Sequence, residues 1–297
     1  MAIKITAPIR IDFCALSDSP PFVDEYGGFT LNVAINYRVS TMIRGGIKTS
    51  SKENIPEAGG LGSSGALRVT DLAAQNPELL DNPEKLIRAA WDYANNCVGQ
   101  RGGWQDECSA VYGGFNLWAY KRNKKTGLID TKRIEIPKNK VKHLEERLVL
   151  VSAGGPSIVR RESSNIHDLI FGPENYEKNI PHLKEINILT KKMAEDLLDC
   201  SALDFPELMT KIWAELKALH PTVESENMKI LQGKCCQFYS SAKATGAGGD
   251  GSCMLFYSAY PTKDSRQELI KKINECNLPG VEVIPFKFEY KGIRREY

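Results

Sequence analysis

Gly59-Gly60-Leu61-Gly62-Ser63-Ser64-Gly65 stands directly before a helical pattern at residues 66–75, and this pairing constrains the architecture more than any other part of the chain. A glycine-rich turn leaves backbone N–H groups accessible at the start of a helix, where the helix dipole also favours negative charge. The segment therefore predicts an anion site, with Ser63 or Ser64 offering a hydroxyl to phosphate or Mg²⁺. A flexible loop with a serine N-cap would show the same residues, so the segment alone leaves both interpretations open.

Two further segments are rich in glycine. Gly246-Ala-Gly-Gly-Asp-Gly251 could bring backbone close to a ligand, or it could be a tight turn between domains. The segment Gly102-Gly-Trp-Gln-Asp-Glu107 carries an acidic pair, and Asp106 could take a proton from a hydroxyl as a general base. An ordinary solvated loop carboxylate is the alternative for Asp106.

Around these segments the hydrophobic pattern predicts an α+β protein, with long amphipathic helices after about residue 150. Pro181 suits the first turn of the helix over 181–198. The predicted strands cover 3–13, 29–43, 147–153, 252–258 and 281–290, and the predicted helices cover 66–75, 83–98, 181–198, 207–219 and 264–276.

Composition excludes several classes of protein. The chain has 297 residues, 26% of them charged, and a net charge of +2, which argues against disorder, collagen or a coiled coil. A near-neutral chain has little field to attract nucleic acid or an anionic membrane, so we expect neither as a partner. No apolar run approaches the ~18 residues of a membrane span. Residues 1–13 read as a strand and not as a signal peptide, so we expect a cytoplasmic protein.

The 8 cysteines and 4 histidines are scattered along the chain. Their spacing matches neither a zinc site nor a compact disulfide framework. We therefore expect free, buried thiols and no metal site built from histidine.

Three segments in this order resemble the motifs of the GHMP kinase superfamily: Ala7-Pro-Ile-Arg-Ile-Asp-Phe13, Pro56–Ser64 and Lys243-Ala-Thr-Gly-Ala-Gly-Gly249. Within that superfamily, residues 11–22 are similar to the fucokinase and heptose-7-phosphate kinase branch. Residues 102–106 resemble fucokinases, and residues 110–116 resemble heptose kinases. The resemblance implies an ATP-dependent kinase that phosphorylates a sugar or sugar phosphate, with the anomeric hydroxyl as the expected acceptor. It also implies two domains, residues 1–150 of the ribosomal protein S5 domain 2-like type and residues 151–297 of the ferredoxin-like type.

The resemblance implies a role for individual residues. Asp106 would be the general base, with Arg10 beside it to hold its charge or to stabilise the transferring phosphoryl group. Ser63 and Ser64 would lie near Mg²⁺. The residues that would bind the ATP phosphates are Gly59, Gly60, Leu61, Gly62, Ser63, Ser64 and Gly65, and those that would bind the substrate are Asp18, Gly27, Gly28, Trp104, Gly246, Ala247 and Gly248. The loop at 246–249 would close the cleft between the domains.

The chain also departs from that branch. The branch has a Mg²⁺-binding glutamate on the helix before the general base, but residues 93–97 contain no carboxylate, and Asp92 lies just outside the expected register. Glu107 replaces a glutamine, Asp250 replaces a glycine, and residues 14–16 replace a glycine-rich turn. The segment before Gly59 is shorter than in the branch. We therefore expect a trimmed nucleotide pocket and weaker binding of Mg²⁺.

Other functions stay open at this point. The chain could phosphorylate another polyol or alcohol, or it could be a catalytically silent sensor of a sugar or nucleotide. Ser17-Asp18 argues against a decarboxylase of the mevalonate-diphosphate type, which has the same fold. Arg160 and Arg161 could contact a phosphate on the substrate, or they could belong to a solvated turn. Monomer and homodimer are both open.

Overall fold

The computed structural model describes residues 3–14, 16–52, 55–56, 58–99, 102–154, 162–199 and 204–296, and the side chains of 162–165 are outside this description. Two sheets and the helices packed on them build the molecule. The strands are β1 (Ile3–Cys14), β2 (Gly28–Arg44), β3 (Ile47–Ser51), β4 (Phe115–Arg122), β5 (Ile129–Glu135), β6 (Leu148–Ala153), β7 (Tyr239–Ala244), β8 (Cys253–Ser258), β9 (Val281–Ile284) and β10 (Arg294–Glu296). The helices are α1 (Phe22–Tyr26), α2 (Ser63–Gln75), α3 (Pro83–Asp92), α4 (Gln105–Tyr112), α5 (Lys138–Arg147), α6 (Glu162–Phe171), α7 (Tyr176–Leu198), α8 (Phe205–Leu219), α9 (Glu226–Cys235) and α10 (Lys263–Glu275). The prediction of an α+β protein is confirmed.

The first sheet has the order β10-β1-β2-β4-β5, with antiparallel pairing throughout. The 17-residue strand β2 pairs with β1 on one side, and on the other side with β4 and then β3. Gly45 and Gly46, with φ of +57° and +80°, form the tight turn between β2 and β3. The short segment before the glycine-rich loop therefore folds as a hairpin strand.

The second sheet has the order β7-β8-β6-β9, again antiparallel. Its strands follow the chain order strand, helices, strand, strand, helix, strand, which is the βαββαβ arrangement. The six residues of β6 are all buried, as the continuous apolar run at 147–153 predicts. Phe13 of the first sheet contacts the Phe205 ring at 5.4 Å, and Phe205 contacts the Tyr257 ring of β8 at 5.8 Å. One hydrophobic core thus extends through both sheets.

Three predicted elements differ from the structure. The helix expected at 83–98 is α-helical only to Asp92 and continues as a π-helical turn at Tyr93–Cys97. Pro181 is not in a first turn, because α7 begins earlier, at Tyr176. The strand expected at 281–290 ends at Ile284, since Pro285 has no N–H to continue the ladder. The chain then crosses to the first sheet and pairs beside β1 as β10.

The described cysteines are free thiols, and the prediction that they are buried is confirmed at five positions and wrong at two. Cys97 and Cys236 are exposed, and Cys200 lies outside the described residues. Within the described ranges, no helix is both long enough and apolar enough to cross a membrane.

A buried ion pair links the two sheets. Lys243 of β7 and Asp12 of β1 are both fully buried. The Lys243 ammonium donates to Asp12 Oδ1 at 3.0 Å and to the carbonyl oxygens of Asp12 and Ala244 at 3.1 and 2.6 Å. Asp12 Oδ2 accepts the Gly246 N–H at 2.5 Å and lies 3.3 Å from Arg10 Nη1. The first strand is therefore joined by charge-assisted bonds to the glycine loop of the second sheet.

Replacing Lys243 by methionine leaves the Asp12 carboxylate buried without its ammonium. We expect the free energy of unfolding to fall by about 3–5 kcal/mol, the usual effect of removing one partner from a buried pair. Urea denaturation measures this, with Lys211→Met as the control, since Lys211 forms an exposed pair with Glu207. Equal stability losses in the two variants would contradict the linking role of Lys243.

Candidate active site

A cleft of about 520 Å³ opens where the three glycine-rich segments meet. Its walls include residues 58–64, residues 102–103 and 105–107, and Gly246, Ala247 and Ser252. We refer to residues 59–65 as the N-terminal glycine loop, residues 245–251 as the C-terminal glycine loop and residues 102–106 as the catalytic segment. Segments far apart in the sequence are therefore brought to one site, as the resemblance implies.

The N-terminal glycine loop leads into α2. Gly62 is the N-cap of this 13-residue helix, with a left-handed φ of +69°. The first N–H groups of any α-helix have no intrahelical partner, and here Ser63 and Ser64 line the cleft at that end of α2. Such an end can bind an anionic group through backbone donors and the helix dipole.

The two glycine loops touch through their backbones. Gly59 N–H donates to the Gly251 carbonyl at 2.6 Å, and a Cβ on Gly60 would lie 2.3 Å from the Thr245 carbonyl oxygen. A Cβ on Gly246 would lie 2.9 Å from the Gly60 Cα. The contact therefore needs glycine on both sides, and it seats the C-terminal glycine loop against the start of α2.

Asp106 and Arg10 form the charged pair at the base of the cleft. Asp106 lies in the first turn of α4, and its Oδ1 accepts from Arg10 Nε at 2.9 Å and from Nη2 at 2.6 Å. Arg10 also donates to the Gly60 carbonyl. Burial acts to lower the pKa of Arg10, but Asp106 and Asp12 outweigh it and raise that pKa above its usual value. A fixed cation thus holds a partly exposed carboxylate in the cleft wall.

Asp18 binds the backbone at the start of α4. Its Oδ2 accepts the backbone N–H groups of Trp104 at 2.7 Å and Gln105 at 2.9 Å. Burial raises the pKa of Asp18 to about 6, although these two hydrogen bonds act in the opposite direction. Asp18 lines the cleft, while the Trp104 side chain is buried and stacks on Trp91 with ring centroids 4.1 Å apart. Asp18 and Trp104 were both predicted to contact the substrate, but of this pair only Asp18 lines the cleft.

Glu107, the residue after Asp106, is buried against α2. Its Oε1 accepts from Arg68 Nη2 at 2.9 Å. Burial raises the pKa of Glu107 to about 7, Arg68 lowers it, and the neighbouring Asp106 raises it further. Gly65 lies at the same contact, since a Cβ there would be 2.5 Å from the Asp106 Cβ. Gly65 does not line the cleft; its absent side chain lets α2 and α4 approach.

Three glycines predicted to bind substrate also lie outside the cleft surface: Gly27, Gly28 and Gly248. A Cβ on Gly28 would lie 2.0 Å from the Ser17 carbonyl oxygen, and one on Gly248 would lie 2.4 Å from the Val223 carbonyl oxygen. Each of the three glycines packs closely against backbone, and its predicted contact with substrate stays a prediction. Gly246 and Ala247 do line the cleft.

Sequence reasoning missed two cations beside the N-terminal glycine loop. Lys52 and Arg68 both line the cleft, and Lys52 Nζ lies 3.5 Å from Ser63 Oγ. Arg68 follows Ser64 by one helical turn on the same face of α2, which is the signal that could have identified it.

Asn95 and His167 also line the cleft and had no signal in the sequence. His167 belongs to α6, and its ring lies 4.5 Å from the Phe171 ring. Asp92 is not among the cleft residues, so the displaced carboxylate does not enter the site. Arg160 and Arg161 lie outside the described residues.

The side chains near the start of α2 do not form a complete metal-binding site. In the described part of the chain, no group of three or more His, Cys, Asp or Glu side chains could hold a metal ion. The carboxylates of Asp106 and Glu107 are paired with arginines, and Asp18 accepts backbone N–H groups. Ser63 and Ser64 remain as hydroxyl donors, which fits only an ion that arrives with phosphate ligands of its own.

Known proteins match this chain in sequence and in fold. Residues 29–114 match the family described as GHMP kinases N terminal domain. The chain is 27% identical over 246 residues to the D-glycero-alpha-D-manno-heptose 7-phosphate kinase of Campylobacter jejuni, which covers 81% of this chain and 68% of that protein. It is 22% identical over 330 residues to the bifunctional fucokinase/GDP-fucose pyrophosphorylase of Arabidopsis thaliana, covering 90% of this chain but 31% of that longer protein.

Solved structures share the fold along nearly the whole chain. A D-glycero-D-manno-heptose 1-phosphate kinase from Bacteriodes thetaiotaomicron superposes with a TM-score of 0.73 at 19% identity, covering 99% of both chains. Lactococcus lactis galactokinase in complex with galactose gives a TM-score of 0.70 at 16% identity, covering 99% of this chain and 95% of that one. At such identities the likeness shows a common fold.

Gly103→Ala should disturb the site, because a Cβ at this position would lie 2.1 Å from Asp18 Oδ2. We expect a loss of stability of about 1–3 kcal/mol from this overpacking, read from urea denaturation. Gly102→Ala is the matched control, since a Cβ there meets nothing within 4 Å. If both variants were as stable as the parent chain, Asp18 would not lie against the catalytic segment.

Glu107→Gln should change how stability depends on pH. The pKa of Glu107 rises from 4.5 to about 7 on folding, so the folded state holds the extra proton in this window. Stability must then decline as pH rises from about 4.5 to about 7, and removing the carboxyl should flatten this decline. The pKa of Asp18 also rises on folding, from 3.8 to about 6, and its effect on the pH dependence of stability remains in the variant.

Denaturation midpoints measured across this pH range provide the test. Glu195→Gln, a change at an exposed glutamate, is the control and should leave the profile as it is. An unchanged slope in Glu107→Gln would show that Glu107 is ionised in the folded protein throughout the range.

Proposed function

We propose that this chain is a GHMP kinase, and that it uses ATP to phosphorylate a sugar or sugar phosphate. In this proposal the γ-phosphoryl group of ATP is transferred to a substrate hydroxyl. The curated relatives with similar sequence are named as a heptose phosphate kinase and a fucokinase, which supports a carbohydrate acceptor.

One observation carries the proposal: the Asp106–Arg10 pair and the N-terminus of α2 face the same cleft. A Cβ on Gly62 would lie 3.1 Å from Asp106 Oδ1 and 3.1 Å from Arg10 Cγ, so the glycine loop passes directly beside the pair. Phosphoryl transfer depends mainly on positioning and charge stabilisation. A phosphate held at the start of α2 would therefore meet a base and a cation without further movement of the backbone.

The chemical roles follow from these positions. Asp106 would accept the proton of the substrate hydroxyl while that oxygen attacks the γ-phosphorus and ADP leaves. Both hydrogen bonds from Arg10 end on Oδ1, so the proton would pass to Oδ2. Arg10 would hold the Asp106 carboxylate in place and would stabilise negative charge on the transferring group.

The substrate would bind between Asp18 and the C-terminal glycine loop. The Asp18 carboxylate can accept hydrogen bonds from neighbouring sugar hydroxyls while it also holds the start of α4. Gly246 and Ala247 of that loop line the same cleft as Asp18. We propose an anomeric hydroxyl as the acceptor, as the similarity to the fucokinase and heptose kinase branch suggests.

Mg²⁺ belongs to the proposal as the ion bound to the ATP phosphates, where it would neutralise charge on the nucleotide. Ser63 and Ser64 would be its protein contacts, since they stand at the end of α2 that would bind those phosphates. We also propose that residues 1–150 form the ribosomal protein S5 domain 2-like domain and residues 151–297 the ferredoxin-like domain. The βαββαβ order of β6 to β9 supports the second assignment.

Replacing Asp106 by asparagine should abolish most phosphoryl transfer and leave nucleotide binding intact. We expect kcat to fall by about 10²–10⁴-fold, the contribution usual for a positioned general base. The measurement is ADP release from Mg-ATP in a coupled assay, with a panel of free sugars and sugar 6- or 7-phosphates as acceptors.

Asp264→Asn is the matched control, because Asp264 is also the second residue of its helix and lies away from the cleft. It should keep the activity of the parent chain. Full activity in Asp106→Asn would remove Asp106 as the base. Sugar binding without any ADP release from the parent chain would favour the sensor over the kinase.

A further inference from the structure

The helix before the catalytic segment changes its hydrogen-bond pattern within the site. After α3 ends at Asp92, residues 93–97 form a π-helical turn, in which the Val98 N–H donates to the Tyr93 carbonyl at 3.1 Å. The extra residue rotates the following side chains by about 100° relative to a continuous α-helix. Asn95 of this turn lies in the cleft wall, whereas Asp92, which precedes the turn, does not.

Asn95 and Trp91 hold the backbone of Gly102 on both sides. Asn95 Oδ1 accepts the Gly102 N–H at 3.2 Å, and Trp91 Nε1 donates to the Gly102 carbonyl at 3.0 Å. Asn95 Nδ2 donates to the Trp91 carbonyl at 3.0 Å, which fixes the amide itself. The Trp91 ring then stacks on Trp104 with an interplanar angle of 8°. Both Trp91 of α3 and Asn95 of the π-helical turn thereby bind the first residue of the catalytic segment, and Trp91 also packs on its third.

The rest of the catalytic segment is fixed by Asp18. Gly103 packs against that carboxylate, and the next two N–H groups, from Trp104 and Gln105, donate to it. Asp106 follows immediately. Successive peptide units leading to Asp106 are therefore held by Asp18 and, at Gly102, by Asn95 and Trp91.

We propose that Asn95 is a positioning residue for the general base, acting through Gly102 on the catalytic segment. The proposal rests on the function proposed above, since it assigns the purpose of this contact to the reaction at Asp106. Asn95 stands in the stretch where the resemblance predicts a metal-binding carboxylate. In this chain the stretch orients the base instead of supplying a metal ligand.

An amide suits this position because it accepts and donates at the same time. An ionised carboxylate at position 95 could accept from Gly102 but would face the Trp91 carbonyl oxygen without a proton to donate. A protonated carboxyl group could again do both. The kcat of Asn95→Asp, relative to the parent chain, should therefore increase as pH is lowered and the new carboxyl group gains a proton.

The experiment compares Asn95→Ala and Asn95→Asp with Asn76→Ala. Asn76 is the matched control, because its amide also donates four residues back, to the Leu72 carbonyl, but it lies away from the cleft. We expect Asn95→Ala to lower kcat about 10-fold or more with little change in the KM for ATP, since misplacement affects the reacting groups and not nucleotide binding. Asn76→Ala should match the parent chain.

In Asn95→Asp, we expect the kcat relative to the parent chain to rise as pH is lowered from about 8 to about 5.5. Near-ultraviolet circular dichroism of the stacked Trp91–Trp104 pair supplies a readout that needs no turnover. It should change in Asn95→Ala and stay as in the parent chain in Asn76→Ala. Trp91→Phe removes the donor to Gly102 and keeps an aromatic ring, so it should also lower kcat. This variant provides the test if Asn95→Ala fails to fold.

Unchanged kcat and unchanged dichroism in Asn95→Ala would overturn the proposal. A rise in the KM for ATP alone would also overturn it, because Asn95 would then be a nucleotide contact. If the parent chain transferred no phosphate to any acceptor, the proposed function would fail separately. The dichroism would still decide whether Asn95 holds the catalytic segment.

Discussion

The arrangement of the site depends on the buried carboxylate of Asp12. This group is cut off from water, so its charge must be balanced by protein groups, and the partners come from different parts of the fold. Lys243 reaches it from the second sheet, the Gly246 N–H from the C-terminal glycine loop, and Arg10 from the same strand. Arg10 in turn binds Asp106. One buried negative charge thus connects the two sheets to the Asp106 carboxylate.

Close backbone contacts impose the second constraint. The loops around the cleft approach one another at Gly60, Gly65 and Gly103, where any side chain would overlap a neighbour. Gly60 meets the backbone of the other glycine loop, Gly65 meets the Asp106 Cβ, and Gly103 meets the Asp18 carboxylate, so each position excludes a larger residue. These contacts also restrict the position of Asp106, because it lies between the start of α2 and the segment held by Asp18. Positioning of this kind is what a reaction with little covalent participation by the protein requires.

Local patterns in the sequence were sufficient for part of this description. Strands β1 and β2 and the helices α2 and α8 follow from periodicity, and the three motifs together predicted the fold and the proximity of Asp106 to Arg10. The rest depends on long-range or subtle effects. Asp12 and Lys243 are 231 residues apart, and nothing local pairs them. The π-helical turn has the residues of an ordinary helix, so sequence spacing could not predict that Asn95 would line the cleft and Asp92 would not. The glycines behind the site looked like ligand contacts because a missing side chain serves both purposes.

The pairing of β10 with β1 bears on how the chain folds during synthesis. Thr6 of β1 donates to Glu296 of β10 across 290 residues, so one edge of the first sheet stays open until residues 294–296 have been made. At ordinary translation rates that interval is roughly 15–60 s. An open edge offers unpaired N–H and C=O groups to other nascent chains throughout that time. The β1 edge is therefore available for pairing with other chains until β10 covers it.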